Sequence, residues 1–322
     1  MPKKSRQDIL SDYIEKIDKC DAWRDQEQFE STWRRLIDLY RGKHWPSTTS
    51  SKQDLIAVNL AFSTVNVIAP SVAVNYPKVV VQATDPEDST RAAVVEGVAN
   101  YMWRHHDFRT PFRSAVKDFL IIGHGWLKVG WKFVEQEQGL TDEQREEMIG
   151  SAMLEADTFA VENPEMAADL PTDNDIIASI PESAMTIVED QPFVERVSPF
   201  DIFVDPTATC MGDAKWIAQR IVRPLEDAEK DKRYKPSVRK RLSSSTLDTE
   251  SPEFHEGKSE FVGDQVVIWE FYDISENTVG IYSDGAEEFL VDPVPMPYAY
   301  GQPFVMIRNY DVPDHFYPIG DL

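Results

Sequence analysis

His105, His106 and Asp107 stand consecutively in the chain, and two imidazoles beside a carboxylate are donors of the kind that hold zinc. On a helix, neighbouring side chains point about 100° apart, so this trio does not face one ion. His124 lies between Gly123 and Gly125, a setting that suits a structural imidazole in a turn better than a general base. Asp201 and Asp205 are carboxylates four residues apart, the residue type that handles protons in hydrolases. In a Ser198-Pro199-Phe200-Asp201 turn, however, Asp more often accepts backbone N–H groups. Ser198 lacks the Gly-x-Ser-x-Gly elbow that exposes a nucleophile. No Gly-x-x-x-x-Gly-Lys-Ser/Thr loop is present to cradle phosphates. Cys20 and Cys210 are the only cysteines, too few for a disulfide framework or a cysteine-based zinc set. The residues therefore predict no catalytic, cofactor-binding or metal-ligating site, and no turnover of nucleotide, peptide or ester substrates.

The elements that would carry these residues read as scaffold. A helical pattern from about residue 90 to residue 122 places Val95, Val98, Ala99 and Met102, then Phe112, Val116 and Phe119, on an apolar face. Gly123 and Gly125 stop it, because glycine takes positive φ at little cost. Trp126, Lys128 and Gly130 then alternate with Leu127, Val129 and Trp131, as in a strand. Upstream, apolar spacing predicts helices over 9–19, 25–41 (ended by Gly42) and 60–72, the last interrupted near Pro70. Residues 46–53 read as a loop and 78–82 as a short strand. Asp85-Pro86-Glu87-Asp88-Ser89 reads as the cap of the long helix.

Downstream, residues 138–148 fit a charged helix capped by Thr141. Short strands are expected over 193–197, 202–204 and 217–222, a helix over 225–233, and a loop over 243–263. Residues 265–272 and 278–283 form an expected hairpin. Further strands over 289–291 and 304–307 flank Pro293, Pro295 and Pro297, which exclude a central strand between them. Lys235, Arg239, Lys240 and Arg241 are the most basic local cluster and read as a solvated helix end. Trp33, Trp103, Trp126, Trp131, Trp216 and Trp269 fall in regular elements, where such rings fill a core or a subunit contact.

Charge is spread unevenly over the 322 residues. The total is −23, yet residues 1–134 carry +3, residues 135–190 carry −15 and residues 191–322 carry −11. DNA binding needs Lys and Arg to displace counterions, so the balance argues against a DNA-binding regulator. It suits a channel that DNA slides through, and equally a surface whose acidity keeps the protein soluble. Two cysteines fit synthesis in a reducing cytoplasm. No run of roughly 18 apolar residues is present to span a membrane, and Met1-Pro2-Lys3-Lys4 leads into polar sequence without an apolar signal core.

An ordered series of short blocks carries a resemblance. Trp33, Leu36, Ile37 and Tyr40 lead into Arg41-Gly42-Lys43-His44-Trp45, followed by Asn59-Leu60-Ala61, Ile68-Ala69-Pro70 and Tyr76-Pro77-Lys78-Val79-Val80-Val81. After the Gly123–Lys132 junction come Val197-Ser198-Pro199-Phe200-Asp201-Ile202-Phe203-Val204-Asp205-Pro206, Lys215-Trp216-Ile217-Ala218-Gln219-Arg220, Pro224-Leu225-Glu226-Asp227 and Tyr317-Pro318-Ile319-Gly320-Asp321-Leu322. In order and spacing these blocks resemble the N-terminal half of portal proteins of tailed bacteriophages. The resemblance covers most of the chain except 135–190 and 240–262.

That resemblance implies an α+β fold, a portal-like wing with long helices packed on a β-rich body. Residues 1–134 would form the helical wing with its helix-to-strand junction, 135–190 an acidic, partly disordered insertion, and 191–322 the β-rich wing body leading to the stem. It implies a structural virion protein rather than an enzyme. Such a subunit forms a homo-oligomeric ring, twelve in the full-length protein, at one capsid vertex, and is made in the host cytoplasm. Implied partners are the major capsid and scaffolding proteins, the terminase large subunit, a head–tail adaptor and double-stranded DNA passing without sequence specificity, with no membrane and no cofactor. The chain stops where such proteins begin the long helix into the stem and clip, so it reads as an N-terminal portion that associates only weakly by itself. Two other readings stay open: a hydrolase or nuclease-like enzyme using Asp201, Asp205 and a histidine, and another head–tail connection protein. The lack of a spaced acid–His–Lys set weighs against the enzyme.

Overall fold

A computed structural model describes residues 5–45, 58–73, 78–162, 171–181, 183–245, 264–298 and 301–322. The predicted loop over 46–53, most of the loop over 243–263, and Tyr76-Pro77 lie outside the described residues. The chain forms two compact units, one of Met1–Gly130 with Val194–Leu322, the other Trp131–Phe193.

In the first unit, α1 (Arg6–Gln26) begins with a reciprocal cap between Ser5 and Asp8 and buries Leu10, Tyr13, Ile17, Cys20 and Arg24 at alternating spacings of three and four. α2 (Phe29–Tyr40) follows a left-handed turn at Gln28 and ends before Gly42. Asn59 then joins α2 to α3 (Leu60–Ala73): its amide donates to the Tyr40 carbonyl at 3.0 Å and its oxygen accepts the Phe62 N–H at 2.9 Å. α3 runs through Pro70 without interruption.

The helix expected over 90–122 is two helices, α4 (Ser89–His105) and α5 (Arg109–Ile122). His106 adopts an extended conformation between them. Asp107 explains the restart, because its carboxylate accepts from the Thr110 N–H (3.3 Å) and hydroxyl (2.9 Å) and offers the backbone a local alternative to helix continuation. Before α4, Pro86–Asp88 form a 3-10 turn rather than a side-chain cap. Residues 78–82 are extended but join no sheet. Side chains of α4 take the place of a partner strand: Asn100 bonds both the N–H (3.1 Å) and the carbonyl (2.9 Å) of Val79, and Glu96 accepts from the Val81 N–H (3.1 Å).

Beyond α5, Gly123 takes φ +97 and β1 (His124–Gly139) begins. β1 is the middle of a three-stranded sheet between β2 (Ser183–Val197) and β8 (Phe304–Arg308), with His124 opposite Arg308 and Lys128 opposite Phe304. A five-stranded antiparallel sheet runs in the order β3 (Ile202–Val204), β4 (Trp216–Pro224), β5 (Gln265–Asp273), β6 (Thr278–Ser283), β7 (Val291–Pro295). The expected hairpin is β5–β6. The strand expected at 289–291 instead starts at Val291 and passes through Pro293 and Pro295. It is an edge strand, where prolines leave no ladder partner unsatisfied. The helix expected over 225–233 is α8 (Leu225–Lys230), followed by a single turn, α9 (Pro236–Arg239). α1 packs across the larger sheet, where Tyr13 stacks on Phe271 with ring centroids 3.9 Å apart.

The second unit holds the outer halves of β1 and β2 with α6 (Asp142–Glu162) and α7 (Asp173–Ser179). Thr141 caps α6 reciprocally with Gln144, but the helix continues well beyond the expected end at 148. β2 begins at Ser183, ten residues before the expected strand. Trp131 Nε1 donates to Asp190 at 2.6 Å and Lys132 pairs with Glu189 at 2.6 Å, so polar side chains tie together strands that lack an apolar alternation.

A Cβ on Gly125 would run into the Ala115 carbonyl of α5, whereas one on Gly150 of α6 meets nothing within 4 Å. Gly125→Ala should therefore destabilise the protein by about 1–3 kcal/mol through overpacking. Gly150→Ala should stabilise α6 by up to about 1 kcal/mol. Chemical denaturation followed by circular dichroism measures both, and equal effects would refute the close approach.

Candidate functional site

The junction between α5 and β1 is the densest meeting point of unusual side chains. His124 is fully buried between Trp33, with ring centroids 4.9 Å apart, and Tyr317, also at 4.9 Å. Among the described residues neither of its ring nitrogens has a hydrogen-bond partner within bonding geometry. Burial pushes its pKa down to about 3, the nearby Arg24 charge adds to the shift, and the Ile122 backbone opposes it. Arg24 of α1 is itself fully buried. It pairs with Glu30 of α2 at 2.7 Å, donates to the Phe200 and Ile202 carbonyls at 3.3 Å, and lies 4.4 Å from the Phe203 ring centroid. The arrangement locks α1, α2 and β3 together beside a neutral, buried imidazole.

The residues singled out for chemistry are dispersed. Asp201 pairs with Arg220 at 3.0 Å. Asp205 accepts from the Thr207 N–H (2.9 Å), the Thr207 hydroxyl (2.7 Å) and the Lys215 N–H (3.3 Å), so it closes a turn, as an Asx residue does. His105 stacks on Tyr101 at 4.0 Å, His106 stacks on Phe108 at 5.7 Å, and Asp107 starts α5. Among the described residues no three His, Cys, Asp or Glu side chains converge as metal ligands. In the basic cluster, Lys235 pairs with Asp292 (2.5 Å), Arg239 donates to the Asp231 carbonyl (2.8 Å) and Arg241 pairs with Glu288 (3.1 Å). Carboxylates thus offset the Lys235 and Arg241 charges, while Arg239 is held by backbone. The tryptophans expected to fill a core or a subunit contact differ in burial. Trp126 is fully buried, while Trp131 is 55% exposed and belongs to the second unit.

A groove runs along α2 and α5 in the first unit. Its main cavity, about 490 Å³, is floored by Ile37, Tyr40, Ile121, Ile122 and Phe200 and rimmed by Arg34, Arg41, Lys117 and Arg196. An adjoining cavity of about 380 Å³ shares Ser114 and Lys117 and adds Arg113. Arg196 forks onto Asp118 at 2.6 and 2.8 Å. Burial nevertheless holds the Asp118 carboxyl above its ordinary pKa. Arg113 and Lys117 are exposed and have no ion-pair partner among the described residues.

The Phage SU10 portal protein family matches residues 9–272. The chain belongs to this family. No curated protein matches it. The α+β fold accords with the family assignment, and no described helix is long and apolar enough to cross a membrane. In this portal family member the short sequence blocks are structural. Asn59 caps and links helices; residues 199–205 supply buried Pro199, Phe200, Ile202, Phe203, Val204 and Asp205; and residues 216–220 form half of β4. The block at 317–322 lies outside the match, yet it folds onto the junction through Tyr317 and through the Asp321 N–H, which donates to the Leu120 carbonyl at 3.1 Å.

Sequence reasoning missed two buried cations, Arg24 and Lys128. Lys128 of β1 reaches Glu270 of β5 at 2.5 Å and Gln219 of β4 at 2.9 Å, so it pins the smaller sheet to the larger. A signal existed for both. Arg24 continues the buried stripe of α1 at i+4 from Cys20, and Lys128 shares the β1 alternation with buried Trp126.

His124 gives a pH test. Unfolded, it takes a proton near pH 6.5; folded, it stays neutral until about pH 3. Between those values the unfolded chain binds more protons, so stability falls as pH falls, by about 1.4 kcal/mol per unit well inside the window. Relative to His124→Leu, the unaltered protein should lose stability progressively as pH is lowered below 6.5. Denaturant titrations at several pH values measure this, and a pH-independent gap would show that His124 is not the group responsible.

Proposed function

We propose that the chain is a subunit of the ring at one capsid vertex through which double-stranded DNA is packaged and later ejected. The observation that carries this reading is the family match over residues 9–272. The structural use of every candidate catalytic residue is in keeping with it: Asp201 and Asp205 are committed to Arg220 and to a turn, and His124 is sealed in the core. On this reading the chain is a structural protein with no cofactor. Its partners are further portal subunits, twelve to a ring, the major capsid and scaffolding proteins whose assembly the ring nucleates, the terminase large subunit and a head–tail adaptor.

The wing assignment belongs to the same proposal. Residues 1–134 and 191–322 make the helical and β-rich parts of the wing, and residues 135–190 are an insertion between them. The independent compactness of Trp131–Phe193 supports that division. A net charge of −23 suits a protein past which DNA moves without gripping, since few of its cations displace DNA counterions.

Gold-labelled antibody raised against the purified chain tests the reading on opened particles of the phage that encodes it. Label at a single vertex of each particle is the expected result. Label at all vertices, or none in the particles, would overturn it.

A further inference from the structure

We infer that the groove between α2 and α5 receives the acidic helix α6 of a second copy of the chain. The groove joins two chemistries: an apolar floor that includes Ile37, Tyr40 and Ile121, and a cationic rim with Arg41, Arg113 and Lys117. Lys117 and Arg113 are the free charges of that rim among the described residues. A phosphate would use the rim and waste the floor. An aliphatic ligand would do the reverse. A segment that carries carboxylates and apolar anchors on one face uses both.

Helix α6 is such a segment. Glu143, Glu147, Leu154 and Val161 are spaced by four, seven and seven residues, which places all four within about 40° on a helix of 3.6 residues per turn. Leu154 is 68% exposed and Val161 is 79% exposed, and both carboxylates are exposed as well. Residues 135–190 contain sixteen acidic residues and one basic residue, whereas residues 1–134 carry a net +3. Opposite charges therefore sit on different parts of one chain. A ring built from head-to-tail contacts needs two such complementary surfaces on each subunit, so the inference rests on the ring reading for the presence of a neighbouring copy.

Cysteine trapping tests the contact in the full chain. In a Cys210→Ser background, one variant carries Ser114→Cys in the groove and another carries Gly150→Cys on the exposed face of α6, where a side chain meets no obstacle. Mixed and oxidised, the two should give mainly the mixed disulfide dimer. Adding Arg113→Glu and Lys117→Glu to the first should cut its yield at least tenfold, and adding Glu143→Lys and Glu147→Lys to the second should restore it. Salt at about 1 M should weaken the trap, because it shortens electrostatic range to about 3 Å. Mixed and self-paired dimers in chance proportion, or a yield indifferent to the charge reversals, would overturn the inference. With both cysteines in one chain, a disulfide closing only within that chain would also overturn it. Those failures leave vertex labelling untouched, whereas missing vertex label with a clean mixed dimer would remove the ring reading alone.

Discussion

Backbone crosses the turn from α5 into β1 on two sides, and no side chain separates the crossing strands. A Cβ on Gly320 would stand 2.8 Å from the Ile121 carbonyl oxygen and 2.9 Å from the Gly123 nitrogen, and one on Gly125 would strike Ala115. The approach is stabilised by backbone bonds rather than by side-chain packing. Asn309 N–H donates to the Gly123 carbonyl at 2.9 Å, and Asp321 N–H donates to the Leu120 carbonyl at 3.1 Å, so one of the last carbonyls of α5 is satisfied by a residue far along the chain. The direction of β1 is set at this crossing. His124 and Trp126 are thereby turned into the core, β8 lies alongside, and Lys128 arrives beneath Glu270.

Two buried cations follow from that geometry and act as cross-members. Arg24 joins α1 to α2 and to the 199–202 backbone, and Lys128 joins the two sheets. Taking such charges out of water costs several kcal/mol for each ion, offset only when partners and hydrogen bonds are well placed. Arg24 has a carboxylate, two carbonyls and two aromatic faces, and Lys128 has a carboxylate and an amide oxygen. A hydrophobic pair would fill the same space without specifying orientation. These groups specify which helix meets which strand, a useful property in a subunit proposed to repeat identically around a ring.

The second unit is built differently. Its strands are joined by Trp131–Asp190 and Lys132–Glu189 contacts, and its helices begin with the reciprocal caps of Thr141 with Gln144 and Thr172 with Asp175. Among its described residues only Ile176 is a buried apolar side chain. Local capping and polar pairing, rather than a core, give it its secondary structure, which leaves aliphatic side chains of α6 at the surface for another molecule to cover.

The sequence by itself determined the elements whose apolar period is strong: α1, α2, the start of α3, the end of α5, the start of β1, and β3 to β6. It also lacks a Gly-x-x-x-x-Gly-Lys-Ser/Thr loop and a Gly-x-Ser-x-Gly elbow, motifs legible without a structure because they require residue types at fixed spacings. The family was legible too, in blocks that turn out to be caps, turns and buried strands. Tertiary structure decided the rest. The break at His106 depends on a local Asp107–Thr110 bond that competes with the helix, and the extended run at 78–82 is satisfied by Asn100 and Glu96 instead of a strand. The placement of β7 over two prolines requires knowing that it is an edge. The burial of Arg24, His124 and Lys128 depends on contacts made across long stretches of chain. Periodicity reports which face of an element is apolar, and it carries no information about which distant carboxylate, carbonyl or ring will meet a charged side chain that lies on that face.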